Sequence, residues 1–129
     1  MAAMLARYSM IRGAPAAALP RGIRQDTRKH THHVLRPTPE MVATYLAAPS
    51  AAAWRELSKV YLALLDARFA ANRAPFDELA ALARDHDVYL GCSCPTKANP
   101  DVRHCHTWLA LRFMQRRYRD LDVRMPEPP

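Results

Sequence analysis

Glycine is scarce in this chain, which has only three in 129 residues. A loop that wraps a nucleotide phosphate needs several glycines at fixed spacing beside a strand, and no segment supplies them. Long apolar runs are also absent, since no 18 consecutive apolar residues occur. The sequence therefore predicts neither a transmembrane helix nor a membrane partner.

Cysteine is scarce as well, and its placement is informative. The three cysteines cannot form a closed set of disulfides, and all lie in one segment, Cys92–Cys105. Secreted scaffolds spread their cysteines to join distant parts of the chain. The N-terminal residues include arginines but lack the apolar core of a signal peptide. These features predict a cytoplasmic protein whose thiols are free or bound to metal.

Acidic residues are few near the N-terminus, where basic residues concentrate. The net charge is +7, and residues 1–36 contain one acid, Asp26. The basic residues of this segment are Arg7, Arg12, Arg21, Arg24, Arg28, Lys29 and Arg36. Such a segment favours phosphate groups, free or on nucleic acid. An arginine-rich composition explains the same charge without any partner.

The first third of the chain has little periodicity. Residues Ala6 to Ile11 have weak strand character, and residues 13–37 are predicted to form an extended loop. On a strand, His30 and His32 would share a face and could pair on a metal. A solvated cluster of these two with His33 is the commoner arrangement.

Helices dominate the middle of the chain. Thr38 and Pro39 begin a first helix that ends by Pro49, and Ser50 caps a longer helix to about Arg73. One apolar stripe on that second helix recurs at spacings of three and four, with members Trp54, Leu57, Tyr61, Leu65 and Phe69. This spacing predicts a helix packed on a core.

Helices and strands alternate in the last third. We predict a helix at 76–85, a buried strand at 88–92, a helix at 105–118, a strand at 121–125 and a tail at 126–129. This alternation indicates an α/β fold with a small, mostly parallel sheet flanked by helices. One α/β domain is expected over residues 19–125, preceded by an N-terminal segment, residues 1–18, that could supply a first strand.

The loop between the buried strand and the last helix, LGCSCPTKANPDVRHCHT, carries the chemistry. The loop follows the carboxyl end of the strand, and open α/β sheets bind their ligands at the edge where the strands end. Cys92, Cys94, Cys105 and His106 would form a Cys₃His set suited to zinc, and iron also accepts thiolate ligands. His104 is a substitute ligand. The spacing C-x-C-x₁₀-C-H differs from the usual C-x₂-C pair.

Two other functions fit the same loop. Cys105 at a helix N-terminus would have a lowered pKa, which suits the nucleophile of a thiol enzyme or redox module. Cys92 or Cys94 would then act as the resolving cysteine. Lys97, Arg103 and the helix N-terminus could instead bind a phosphate-bearing ligand. A nucleic-acid module would use Arg21, Arg24, Arg28 and Lys29. Buried free cysteines that only pack are the structural alternative.

The segment VYLGCSCPTKANPDVRHCHT resembles the C-terminal signature of the bacterial family called domain of unknown function 488. Leu19-Pro20-Arg21-Gly22 is similar to the family's early proline-arginine-glycine motif. The second helix also follows its W-x₂-F-x₃-Y-x₃-L pattern, through Trp54, Leu57, Tyr61 and Leu65. The resemblance spans roughly residues 19–125. Leu57 replaces the usual aromatic residue, and Thr107 stands where many members have arginine.

This resemblance implies a Rossmann-like α/β fold in a cytoplasmic bacterial protein. It also implies that Cys92, Cys94, Cys105 and His106 form the functional centre, with Arg21 at its rim. It supplies no reaction, because the family is largely uncharacterised.

Overall fold

A computed structural model describes residues 3–126 of the protein. Three strands and four α-helices follow one another along the chain. They are β1 (Leu5–Ser9), β2 (Ile23–Asp26), α1 (Pro39–Ala47), α2 (Ala51–Ala71), α3 (Ala74–Asp85), β3 (Val88–Cys92) and α4 (His106–Arg117). No helix within residues 3–126 is both long and apolar enough to cross a membrane.

The sheet is small and parallel, in the order β1-β3-β2. β3 is the central strand and pairs in parallel with both neighbours. Its sequence VYLGC buries four of five residues, as expected for a strand covered on both faces. The predicted α/β fold with a parallel sheet is confirmed, and its architecture is Rossmann-like.

The helix boundaries follow local capping. The hydroxyl of Thr38 accepts from the Met41 amide, and that of Ser50 accepts from the Ala53 amide, so both predicted caps are confirmed. Pro75 lies in the first turn of α3, where its missing amide proton costs nothing.

The core lies between the sheet and the helices. The α2 stripe is confirmed: Leu57, Tyr61 and Leu65 are buried, and Trp54 and Phe69 pack partly buried against the same core. The Tyr61 hydroxyl donates to the Leu35 carbonyl across 2.6 Å, which fixes the chain that leads into α1.

Two predictions about strands were wrong. The segment read as a loop contains β2, where Ile23 is level with Val88 of β3. The predicted last strand is reduced to one parallel bridge, between Val123 and Leu5, flanked by two backbone hydrogen bonds. The predicted first strand forms as β1, shifted to Leu5–Ser9. Of the predicted tail, residues 127–129 lie outside the described part of the chain.

Candidate metal centre

The carboxyl ends of the three strands meet at one edge of the sheet, where the cysteine loop begins. β3 ends at Cys92, between the ends of β1 at Ser9 and β2 at Asp26. The chain then forms an irregular loop and one 3₁₀ turn, Val102–His104, before α4 begins at His106. The loop therefore returns its last cysteine to the edge where the first one lies.

The three sulfur atoms form a tight group. The Sγ atoms of Cys92, Cys94 and Cys105 all lie within 4.8 Å of one another. The Cys92 and Cys105 sulfurs are 3.3 Å apart. His106 Nδ1 lies 3.9 Å from the first of these and 3.7 Å from the second. All three cysteines are free thiols, and the group could hold a metal ion.

These distances fit tetrahedral coordination. Zinc bonds of about 2.3 Å to sulfur and about 2.0 Å to nitrogen separate two sulfurs by about 3.8 Å and a sulfur from a nitrogen by about 3.5 Å. The Cys92–Cys105 sulfur distance of 3.3 Å is somewhat shorter than the first value, and the two sulfur–nitrogen distances of 3.7 and 3.9 Å are slightly longer than the second. The three sulfurs therefore lie near the spacing of one tetrahedral ion, and His106 Nδ1 lies near that spacing from two of them.

The hydrogen bonds of His106 orient its ring. The Thr27 hydroxyl donates its single proton to the Gly91 carbonyl across 3.0 Å. The same oxygen lies 2.9 Å from His106 Nε2, so Nε2 must carry the proton and donate. Nδ1 is then the unprotonated nitrogen, with its lone pair on the side of the sulfurs. A ligating histidine is usually held by such a bond from its other nitrogen.

Two of the sulfurs accept hydrogen bonds from neighbouring side chains. The Asn99 amide donates to Cys94 Sγ across 3.4 Å and to the His104 carbonyl across 2.7 Å, which ties the loop together. The Thr107 hydroxyl donates to Cys105 Sγ across 3.3 Å. Such donors favour sulfur in its anionic form.

Arg7 places a positive charge behind the cluster. Its Nε donates to the Thr107 hydroxyl across 3.0 Å, and another guanidinium nitrogen donates to the Cys94 carbonyl across 2.8 Å. The Ser9 hydroxyl donates to the same carbonyl. Side chains of β1 thus fix the backbone of Cys94. They also fix the Thr107 hydroxyl, which donates to Cys105.

The Cys94 and Cys105 thiols are not activated as nucleophiles. The hydrogen bond with Cys92 lowers the pKa of Cys105, but the hydrogen bond with Cys94 and burial outweigh it and raise the pKa to about 11. The hydrogen bond with Cys105 lowers the pKa of Cys94, but the bond with Cys92 and burial raise it to about 11. The expectation of a lowered pKa at Cys105 was wrong, because the hydrogen bond with Cys94 and burial raise it.

The structure separates the other predicted ligand-binding residues from the cluster. Arg21 precedes β2 at the amino edge of the sheet, opposite the edge that carries Cys92. Arg103 forms an exposed ion pair with Asp101 at 3.0 Å. Lys97 is exposed in the loop. None of the three basic residues lines the cavity beside the cysteines.

The N-terminal basic residues and histidines also lie in different places, and only some of them line the cavity. Arg24 is exposed on β2, whereas Arg28 and Lys29 line the cavity. His30 and His32 lie in an irregular turn and not on a strand, so they do not share a strand face. His33 is half-buried, and its Nε2 lies 2.6 Å from the Gln25 side-chain oxygen.

His104, the predicted substitute ligand, stacks on Trp54 with ring centroids 5.0 Å apart. Sequence reasoning missed Thr27, Asn99, Arg7 and the role of Thr107 as a donor to sulfur. Asn99 is buried, and its side-chain amide donates to the Cys94 sulfur.

No protein-family model, curated protein or solved structure matches this chain. The fold and the cluster define its class: an α/β protein with a Cys/His group, at the carboxyl edge of a parallel sheet, that could hold a metal.

Proposed function

We propose that the protein binds one transition-metal ion, zinc first and iron second, through Cys92, Cys94, Cys105 and His106. The observation that carries this proposal is the grouping of three sulfurs within 4.8 Å, with His106 Nδ1 3.7 and 3.9 Å from two of them. Three thiolates and one imidazole are the ligands of tetrahedral zinc sites, and iron shares the preference for thiolate.

Four protein ligands would close the coordination sphere, which is typical of structural zinc. The ion would join the end of β3 to the start of α4 across the long loop. Because the metal replaces thiol protons, its binding would release protons and add directly to the free energy of unfolding.

We also propose, from the sequence resemblance, that the chain is related to domain of unknown function 488. The departures at Leu57 and Thr107 leave the four ligands intact. In this structure Leu57 is a core residue. Thr107 accepts a hydrogen bond from Arg7, so Arg7 supplies a positive group near the loop although the arginine at position 107 is missing. Free thiols at the centre are consistent with a reducing cytoplasm.

Cobalt substitution tests the metal proposal. Cobalt(II) bound in place of zinc should show strong visible absorption from a tetrahedral, thiolate-rich site, and zinc should displace it. The matched variants are His106→Gln and His104→Gln, which make the same change at adjacent turns. We expect His106→Gln to weaken binding and alter the spectrum and His104→Gln to leave both unchanged. Equal effects of the two variants, or a weak octahedral spectrum, would reject the proposed ligand set.

A further inference from the structure

A cavity of about 310 Å³ opens beside the cysteine cluster. This volume is at the lower end of those that hold small ligands, about 300 to 1,000 Å³. The cysteines and His106 line one side of it. Residues outside the proposed ligand set build the remaining sides, and they differ sharply in character.

One wall of the cavity is apolar. It comes from α1 and α2 and consists of Val42, Tyr45, Leu46 and Leu57. Leu46 is 39% exposed, an unusual state for a large aliphatic side chain in the described part of this protein. An uncovered apolar wall in a concave site favours a ligand with an apolar body.

A second group of lining residues is basic. Arg28, Lys29 and His30 follow β2 in a turn and line the cavity. Asp26 neutralises Arg28 through a two-pronged contact of 3.0 and 2.8 Å. Lys29 has no ion-pair partner among residues 3–126, and the residues lining the cavity include no aspartate or glutamate. The Asp26 carboxylate also lies 3.9 Å from His30 Nε2, so the uncompensated positive charge at the cavity is that of Lys29.

We propose that this cavity binds a small organic anion, a carboxylate or a phosphate ester. Its charged group would face Lys29, and its apolar body would lie against Val42 and Leu46. The inference rests on the proposed function only in that the proposed metal ligands line part of the cavity. An apolar wall and a cationic side chain are the combination that fixes such a ligand in one orientation.

Titration by NMR with three probes of similar shape tests this inference. Benzoate and phenyl phosphate carry the charge, and benzamide is the neutral counterpart. At least one anion should bind about fivefold more tightly than benzamide, as one partly exposed charge contact gives. Amide signals should shift around residues 28–30 and 42–46. The tighter of the two anions identifies carboxylate or phosphate as the preferred group.

Two charge-reversal variants provide the control. Lys29→Glu should abolish the preference for the anions, and Lys59→Glu, the same change on the exposed face of α2, should preserve it. Equal behaviour of the two variants would overturn the inference. So would benzamide binding as tightly as the anions, or shifts confined to the groove between α2 and α4 near Trp108 and Arg112.

Metal content measured on the same samples separates this inference from the proposed function. Selective anion binding by protein that takes up no metal would overturn the proposed function and support the inference. Metal-loaded protein without anion selectivity would overturn the inference alone.

Discussion

His106 donates its Nε2 proton to the Thr27 hydroxyl across 2.9 Å, and that hydroxyl donates in turn to the Gly91 carbonyl. This relationship joins the residue after β2 to the first residue of α4, over the central strand. It leaves Nδ1 as the nitrogen that faces the sulfurs, so the ring is oriented before a metal arrives.

Thr27→Val should weaken metal binding by about 10- to 100-fold, the usual effect of removing the partner of a ligating histidine. The substitution keeps the shape of the side chain but removes the acceptor for Nε2. Competition with a chromophoric chelator measures the affinity. Thr44→Val, at an exposed hydroxyl that donates to Glu40, is the control and should change nothing. An unchanged affinity in Thr27→Val would show that the hydrogen bond does not orient the ligand.

Thr107→Val should also reduce metal affinity, by about tenfold, because it removes the donor to Cys105 Sγ. It also leaves Arg7 Nε without its partner, at a cost of about 1 to 3 kcal/mol in stability. Thr107→Ser keeps the hydroxyl and should restore the affinity. If serine fails to restore it, packing of the methyl group and not the hydrogen bond is what matters. Affinity comes from chelator competition and stability from urea unfolding.

Acidification should lower the free energy of unfolding, because it protonates His33. Burial, assisted by nearby His106, lowers the pKa of His33 from its ordinary 6.5 to about 4. Its Nδ1 already accepts from the Leu35 amide, so protonation there would oppose a donor. The folded state binds this proton less readily than the unfolded state. The contribution of neutral His33 to the free energy of unfolding is therefore complete above pH 6.5. About 2 kcal/mol of it is lost as the pH falls from 6.5 to 4.

His33→Asn isolates this effect, because an amide oxygen can replace Nδ1 as the acceptor without titrating. Urea unfolding from pH 8 to pH 4.5 should show a smaller loss for the variant than for the native protein. Metal release at low pH affects both proteins alike. Parallel stability curves would exclude His33 as the titrating group.

Gly22→Ala should destabilise the protein by about 2 to 4 kcal/mol. Gly22 has φ +141°, a conformation that favours glycine, and a Cβ there would lie 2.5 Å from the Asp87 carbonyl oxygen. This close approach lets β2 begin level with β3. Gly13→Ala is the control, since its φ is +77° but no atom lies within 4 Å of the added Cβ. Thermal unfolding compares the two, and equal losses would remove the role of the Asp87 contact.

Local signals predicted the helices and the central strand. Thr38 and Ser50 cap as expected, and the α2 stripe faces the core, because capping and periodicity depend on neighbouring residues. β2 was missed because its sequence, IRQD, has one apolar residue. It joins the sheet through backbone hydrogen bonds to β3, which leave no pattern in the side chains.

The candidate centre was predictable in part because its ligands are close together in the sequence. Its cysteines and His106 lie in one loop, so their spacing brought them together. Thr27 and Arg7 lie 79 and 100 residues from their partners at the site. Their contacts depend on which strand ends meet at the sheet edge, and that is set by strand order and register. The pKa of Cys105 depends on burial, which spacing does not reveal.

Elemental analysis of protein purified without added metal, with a count of reactive thiols, tests the central claim most directly. We expect about one zinc or iron ion per chain and three thiols that stay unreactive until a strong chelator removes the metal. Protein with no metal, whose three thiols react at the same rate with and without the chelator, would contradict the proposed metal centre.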